Sequence, residues 1–223
     1  MQKYLFLIFT TLSSAWASAS APVPLDACGH SQFTQSAGTQ LSGGDGLTVF
    51  KKVCYVDASG SYALYLLVRK GNAARHPEFA DAVQIQLVKL SNGVKLQSMA
   101  RDASMDHEAG VAFLPELGEI GDIDGDGLID AIIVYRFYTL EPEIDVDDGY
   151  SGRIKIITFY KGQKVVIRAV TGPLDGSRST TASANFFTLP RKVQSHLIKK
   201  MKQMYETRQF GFDNSFGFNP RRE

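Results

Sequence analysis

The stretch GDIDGDGLIDAIIVYRFY, Gly121 to Tyr138, sets four aspartates within nine positions and then turns into a run of β-branched and aromatic residues. The second half, Ala131 to Tyr138, reads as a buried strand. The first half reads as a loop built around a cation. Asp122, Asp124 and Asp126 alternate, Gly127 follows, and Asp130 closes the pattern D-x-D-x-D-G-x-x-D. This spacing offers carboxylates at loop positions 1, 3, 5 and 9 and the backbone carbonyl of Leu128 at position 7, with Gly127 permitting the sharp turn that aims that carbonyl inward. Ile129 is expected to point the other way, into the core. Like charges this close repel by several kcal/mol even at an effective dielectric of about 20. A divalent cation reverses the sign, and its binding then contributes to the folding free energy. Hard oxygen ligands in a nearly all-protein cage suit Ca²⁺ better than Mg²⁺. The plain alternative is an Asp/Gly-rich turn that binds nothing.

Position 12 of the loop is Ile133, where an EF-hand places a bidentate Glu on a helix, and the residues after the loop read as strand. The loop instead resembles those of FG-GAP and integrin-type repeats, in which such a turn joins β-strands. The motif occurs once here, so a whole propeller is not expected. A second acidic group, Glu141, Glu143, Asp145, Asp147 and Asp148, follows the strand. Its spacing fits no cage, and a solvated acidic loop is the expectation.

Working outward, Leu47–Val56 and Ser61–Lys70 flank Asp57-Ala58-Ser59-Gly60, and the apolar runs at Val83–Leu87 and Val94–Leu96 flank Ser91-Asn92-Gly93. Ile154–Tyr160 and Val165–Val170 bracket Lys161-Gly162-Gln163. Alternating runs around short Gly-containing turns predict hairpins. After Pro190 the period changes: Val193, Leu197, Met201, Met204 and Tyr205 recur at helical spacing, with lysines on the other face. The expected fold is therefore mainly β (α+β): antiparallel sheets joined by hairpins, one calcium loop between strands, and one C-terminal amphipathic helix. Gly172–Ser183 is polar and turn-rich and reads as a long loop. The segment 210–223 carries Phe210, Phe212, Phe216 and Phe218 among glycines, and either docks on the domain or forms an exposed tail.

The chain opens with Lys3, an apolar run from Tyr4 to Phe9 and the small-residue triplets ending at Ala17 and Ala19, the layout of a secretory signal peptide over residues 1–19. A polar, Gly-rich segment fills 20–46, and 47–209 is expected to form a single domain. Export implies a periplasmic or secreted protein with no integral membrane segment once the leader is removed. Removing the leader and its Lys3 leaves acidic and basic residues in balance, so no global field favours nucleic acid. The only two cysteines, Cys28 and Cys54, are expected to pair in an oxidising compartment. Mass spectrometry with and without reductant checks this: two free thiols in protein made through the export route would remove the disulfide.

The run Leu117–Arg136, the acidic gap and Arg153–Ala169 together resemble a family of exported bacterial proteins labelled as associated with surface-polysaccharide biosynthesis. The similarity in layout extends from about Thr48 to the C-terminal helix. It implies a role at the cell envelope and supplies no reaction. His30, His76, His107 and His196 show no metal-ligand pairing, and neither a nucleophile elbow nor a phosphate-cradling glycine loop is present. Asp102, Asp106, His107 and Glu108 read as an ordinary surface loop. These readings favour a calcium-binding module that engages an envelope polysaccharide or envelope protein without catalysis. The alternatives are a carbohydrate-active hydrolase and a protein-protein adaptor that uses calcium only for structure.

Overall fold

The computed structural model describes residues 24–25, 46–71, 78–91, 93–139 and 151–223. The leader, Cys28, most of the segment 20–46 and the acidic stretch Glu141–Asp148 lie outside the described residues.

The fold is mainly β, with one α-helix among the described residues, as the sequence predicts. One sheet has the order β1-β2-β3-β4-β5: β1 (Pro24–Leu25), β2 (Leu47–Asp57), β3 (Gly60–Arg69), β4 (Ala82–Lys89) and β5 (Lys95–Ala103). The other runs β12-β11-β10-β9-β8-β6, with β7 also pairing β8. Its strands are β6 (Glu108–Phe113), β7 (Glu119–Gly121), β8 (Asp130–Thr139), β9 (Gly152–Tyr160), β10 (Gln163–Thr171), β11 (Ser179–Ala182) and β12 (Arg221–Arg222). All pairings are antiparallel except that of β11 with β12.

Strand β8 explains the layering. Ala131, Ile133, Tyr135 and Phe137 face the first sheet and pack with Leu64, Leu66, Val83, Ile85 and Leu87. Ile132 and Val134, on the other face, pack with Ile154, Ile156, Ile167 and the helix α1 (Arg191–Glu206). A strand buried on both faces has no polar alternation, which is why Ala131–Tyr138 carries none. The second sheet is thus the middle of three layers, between the first sheet and α1. Val193, Leu197, Met201 and Met204 form the buried stripe of α1. Burial of each such side chain contributes about 1.5–3 kcal/mol.

Two expectations are corrected, and an open alternative is decided. Gly172–Ser183 is not one long loop: Ser179–Ala182 is strand β11, with Thr180 and Ala182 buried. Glu108 does not lie in a surface loop; it begins β6, is buried, and is held by both Nε and Nη2 of Arg153. The segment 210–223 docks. The chain leaves α1 through Arg208 in the left-handed region (φ 58). Phe210, Phe212 and Phe218 then enter the core between α1 and the second sheet. Cys54 is buried on β2 and disulfide-bonded, and β1 places Leu25 opposite it; the expected partner Cys28 is outside the described residues.

Candidate metal centre

The loop between β7 and β8 folds around Asp122. Its Oδ1 accepts the amides of Gly125 (2.7 Å) and Asp126 (3.0 Å), and its Oδ2 accepts that of Gly127 (2.9 Å). Gly125 and Gly127 have φ of 82 and 84, where a Cβ would be strained, so the two glycines allow the chain to curl about one carboxylate. Asp126 Oδ1 accepts the amide of Leu128 (2.9 Å). The carboxylates of Asp122, Asp124 and Asp126 offer oxygens that all lie within 4.8 Å of one another, a group that can hold a metal ion.

Asp130, the fourth expected carboxylate, is not part of that group. It is buried at the start of β8 and its Oδ2 accepts the amide of Ile123 (3.2 Å). Burial pushes its pKa up to about 7; the charges of Asp124, Asp126 and Asp122 push the same way, against the Ile123 hydrogen bond. A nearby cation removes this penalty on the ionised form. Leu128 contributes its amide to Asp126, and Ile129 points into the inter-sheet core as expected.

Three other elements converge on the loop. From the first sheet, Asp57 Oδ2 accepts the amide of Ile129 (3.1 Å), and the amide of Ala58 donates to the carbonyl of Gly127 (3.3 Å). From the β9–β10 hairpin, Tyr160 donates its hydroxyl to Asp124 Oδ2 (3.0 Å), and Lys161 Nζ pairs with Asp126 Oδ2 (2.8 Å). This hairpin turns through Lys161 and Gly162, with φ of 49 and 74, the positive pair of a two-residue type I′ turn. From α1, Lys192 Nζ donates to the carbonyl of Asp124 (2.6 Å), and His196 and Lys200 hold Glu119 on β7.

The carboxylate chemistry follows from these partners. Burial tends to raise the pKa of Asp126, but the hydrogen bonds from Lys161 and Leu128 outweigh it and leave it below the usual carboxylate range. Hydrogen bonds to Asp126 and Tyr160 hold Lys161 above the usual lysine value. Asp124 is different: its Oδ1 is buried and has no hydrogen-bond partner among the described residues. A buried carboxylate oxygen without a donor costs its desolvation, about 1–3 kcal/mol or more for a charged group. A cation amid the three aspartates is the partner this oxygen lacks, so the donor set fits a hard metal ion.

Tyr160, Lys161, Asp57 and Lys192 are the residues that the motif alone does not reveal, because they arrive from three separate elements. The hairpin turn at Lys161-Gly162 was legible; its proximity to the aspartates was not. The chain matches no protein-family model, no curated protein and no solved structure. Among the described residues, no helix is long and apolar enough to cross a membrane.

Proposed function

We propose that this chain is an exported, calcium-binding β domain with a non-enzymatic role at the bacterial cell envelope, in binding or assembling surface polysaccharide. The observation that carries the calcium assignment is the buried, unpartnered Asp124 Oδ1 within the three-carboxylate cluster. Asp122, Asp124 and Asp126 would hold the ion, with Asp130 and the Leu128 carbonyl completing an oxygen-only set. When bound, the ion supplies charge neutralisation and reinforces the few contacts that tie the two sheets and the helix to the loop. The chain's own part is to fix the loop: Asp57 from one sheet, Tyr160 from the other and Lys192 from the helix all meet it.

The envelope reading rests on the leader at residues 1–19 and on the layout resemblance from Leu117 to Ala169. A binding role is the economical one because Asp122 and Asp126 are engaged with the loop's own amides and with Lys161, and the unpartnered Asp124 Oδ1 is accounted for by the ion.

Calorimetric titration of the calcium-depleted protein tests the assignment. Calcium is expected to bind with a stoichiometry of about one, magnesium far more weakly because it demands octahedral geometry and sheds water reluctantly. Absence of saturable calcium binding, or equal affinity for magnesium, would overturn it.

A further inference from the structure

We infer that the end of the second sheet remote from the aspartate loop carries a pocket for a compact oxyanion, carboxylate or phosphate, borne on a small polar molecule. A cavity of about 200 Å³ is lined there by Arg153, Lys155, Arg168, Ser179 and Thr181, with the exposed side chain of Val170 among them. It lies across β9, β10 and β11. Lys155 stands opposite Arg168, and Arg168 opposite Thr181; one pleat along, Arg153 stands opposite Val170, and Val170 opposite Ser179. Residues directly opposite, or two apart on one strand, share a face. Three cations and two hydroxyls therefore project from the same side of three adjacent strands.

Two features point to a ligand. Like charges directly across a strand pair are destabilising, yet Lys155 and Arg168 occupy such a pair. Each cation does have a carboxylate: Glu108 for Arg153, Asp102 for Lys155 and Glu223 for Arg168. None of these carboxylates lines the cavity. Glu108 is 2% exposed and sits behind Arg153, which is 24% exposed. Glu108 and Asp102 thus hold Arg153 and Lys155 in place, while the exposed Glu223, whose Oε1 also accepts from Thr181 (3.5 Å), competes with a ligand for Arg168. A guanidinium has five N–H donors and an ammonium three, so one carboxylate partner leaves donors to spare on each. Arginine forks and lysine match carboxylate and phosphate oxygens, and the hydroxyls of Ser179 and Thr181 suit neutral oxygens beside them.

The pocket is separate from the metal centre. Arg153 and Lys155 pair with Phe137 and Tyr135 on β8, whereas Asp130 begins that strand. Five to seven residues of strand place them about 17–24 Å apart. The assignment therefore stands or falls independently of calcium.

The pair Arg168–Glu223 gives the test its handle. Both side chains are well exposed, at 43% and 37%, and an exposed pair contributes little to stability, so either can be replaced without unfolding the domain. Binding of glucuronate, glucose 1-phosphate and glucose to the native protein, Arg168→Ala and Glu223→Gln is measured by ligand-observed NMR at low ionic strength. At least one of the two anions is expected to bind saturably, and neutral glucose not to bind. Arg168→Ala weakens that binding about tenfold, the loss of one charge-assisted hydrogen bond. Glu223→Gln, which frees Arg168 from its competitor, tightens it. Preference for glucuronate or for the phosphate identifies which oxyanion the pocket takes. No saturable binding of either anion, or binding indifferent to Arg168→Ala and Glu223→Gln alike, would overturn the pocket.

Discussion

Calcium at about a hundredfold excess over its Kd raises the melting temperature of the protein by roughly 5–10 °C, and chelation reverses the rise. The magnitude follows from linkage: ligand at a hundred times Kd adds about 2.7 kcal/mol, and in a chain of this size each kcal/mol shifts the midpoint by about 2–4 °C. Asp124→Ala abolishes the calcium-induced rise. Its own calcium-free midpoint is not the readout, because the substitution has opposing effects there. It removes the Tyr160 partner (3.0 Å), which destabilises, and it removes a buried unpartnered oxygen and a charge near Asp130, which stabilises. The comparison is therefore the shift within each protein, followed by circular dichroism with calcium, magnesium or chelator. A native protein whose midpoint ignores calcium, or a variant that keeps the full shift, would sink the metal centre. A magnesium shift of equal size would leave a cation site but remove calcium as its ion.

The three-aspartate cluster was legible in the sequence because Asp122, Asp124 and Asp126 lie in one turn, and glycines at fixed offsets report the backbone turn directly. The same holds for the hairpins, whose turn residues are local, and for α1, whose four-residue stripe repeats with the helical period. What escaped is long-range. Glu108 reads as surface because nothing near it in sequence neutralises it; its partner Arg153 lies 45 residues on, across an intervening strand. Strand β11 is only Ser179–Ala182, too short and too polar to announce a period, and it is recognisable by its pairing with β10 and β12. Tyr160 and Lys161 were assigned to a hairpin correctly, yet their meeting with Asp124 and Asp126 depends on β9 lying beside β8 in register, with Phe159 opposite Ala131. Local chemistry was thus readable where both partners sit in one turn, and hidden where the sheet brings them together.

The Phe/Gly segment is the sharpest case of such hidden packing, and Phe212→Ala is expected to lower stability by about 3–5 kcal/mol, the usual loss for a fully buried aromatic. Phe212 is completely buried. It packs in the core shared by α1 and the second sheet, with its ring edge-on to Phe210 at 6.2 Å between centroids. Backbone contacts limit how far the site can collapse into the void: the amide of Gly172 donates to the carbonyl of Gly211 (3.2 Å), and β12 is paired to β11. A cavity that cannot relax sits at the costly end of the range. Phe216→Ala provides the control, since its side chain is 63% exposed and its removal should change stability by less than about 0.5 kcal/mol. Urea unfolding of the two variants beside the native protein separates the possibilities. A large loss for Phe212 and none for Phe216 makes 210–223 an integral closing element of the helix-side core. Equal, small effects at both positions would mean that the segment is an appendage, and that the stripe of α1 is covered by something else.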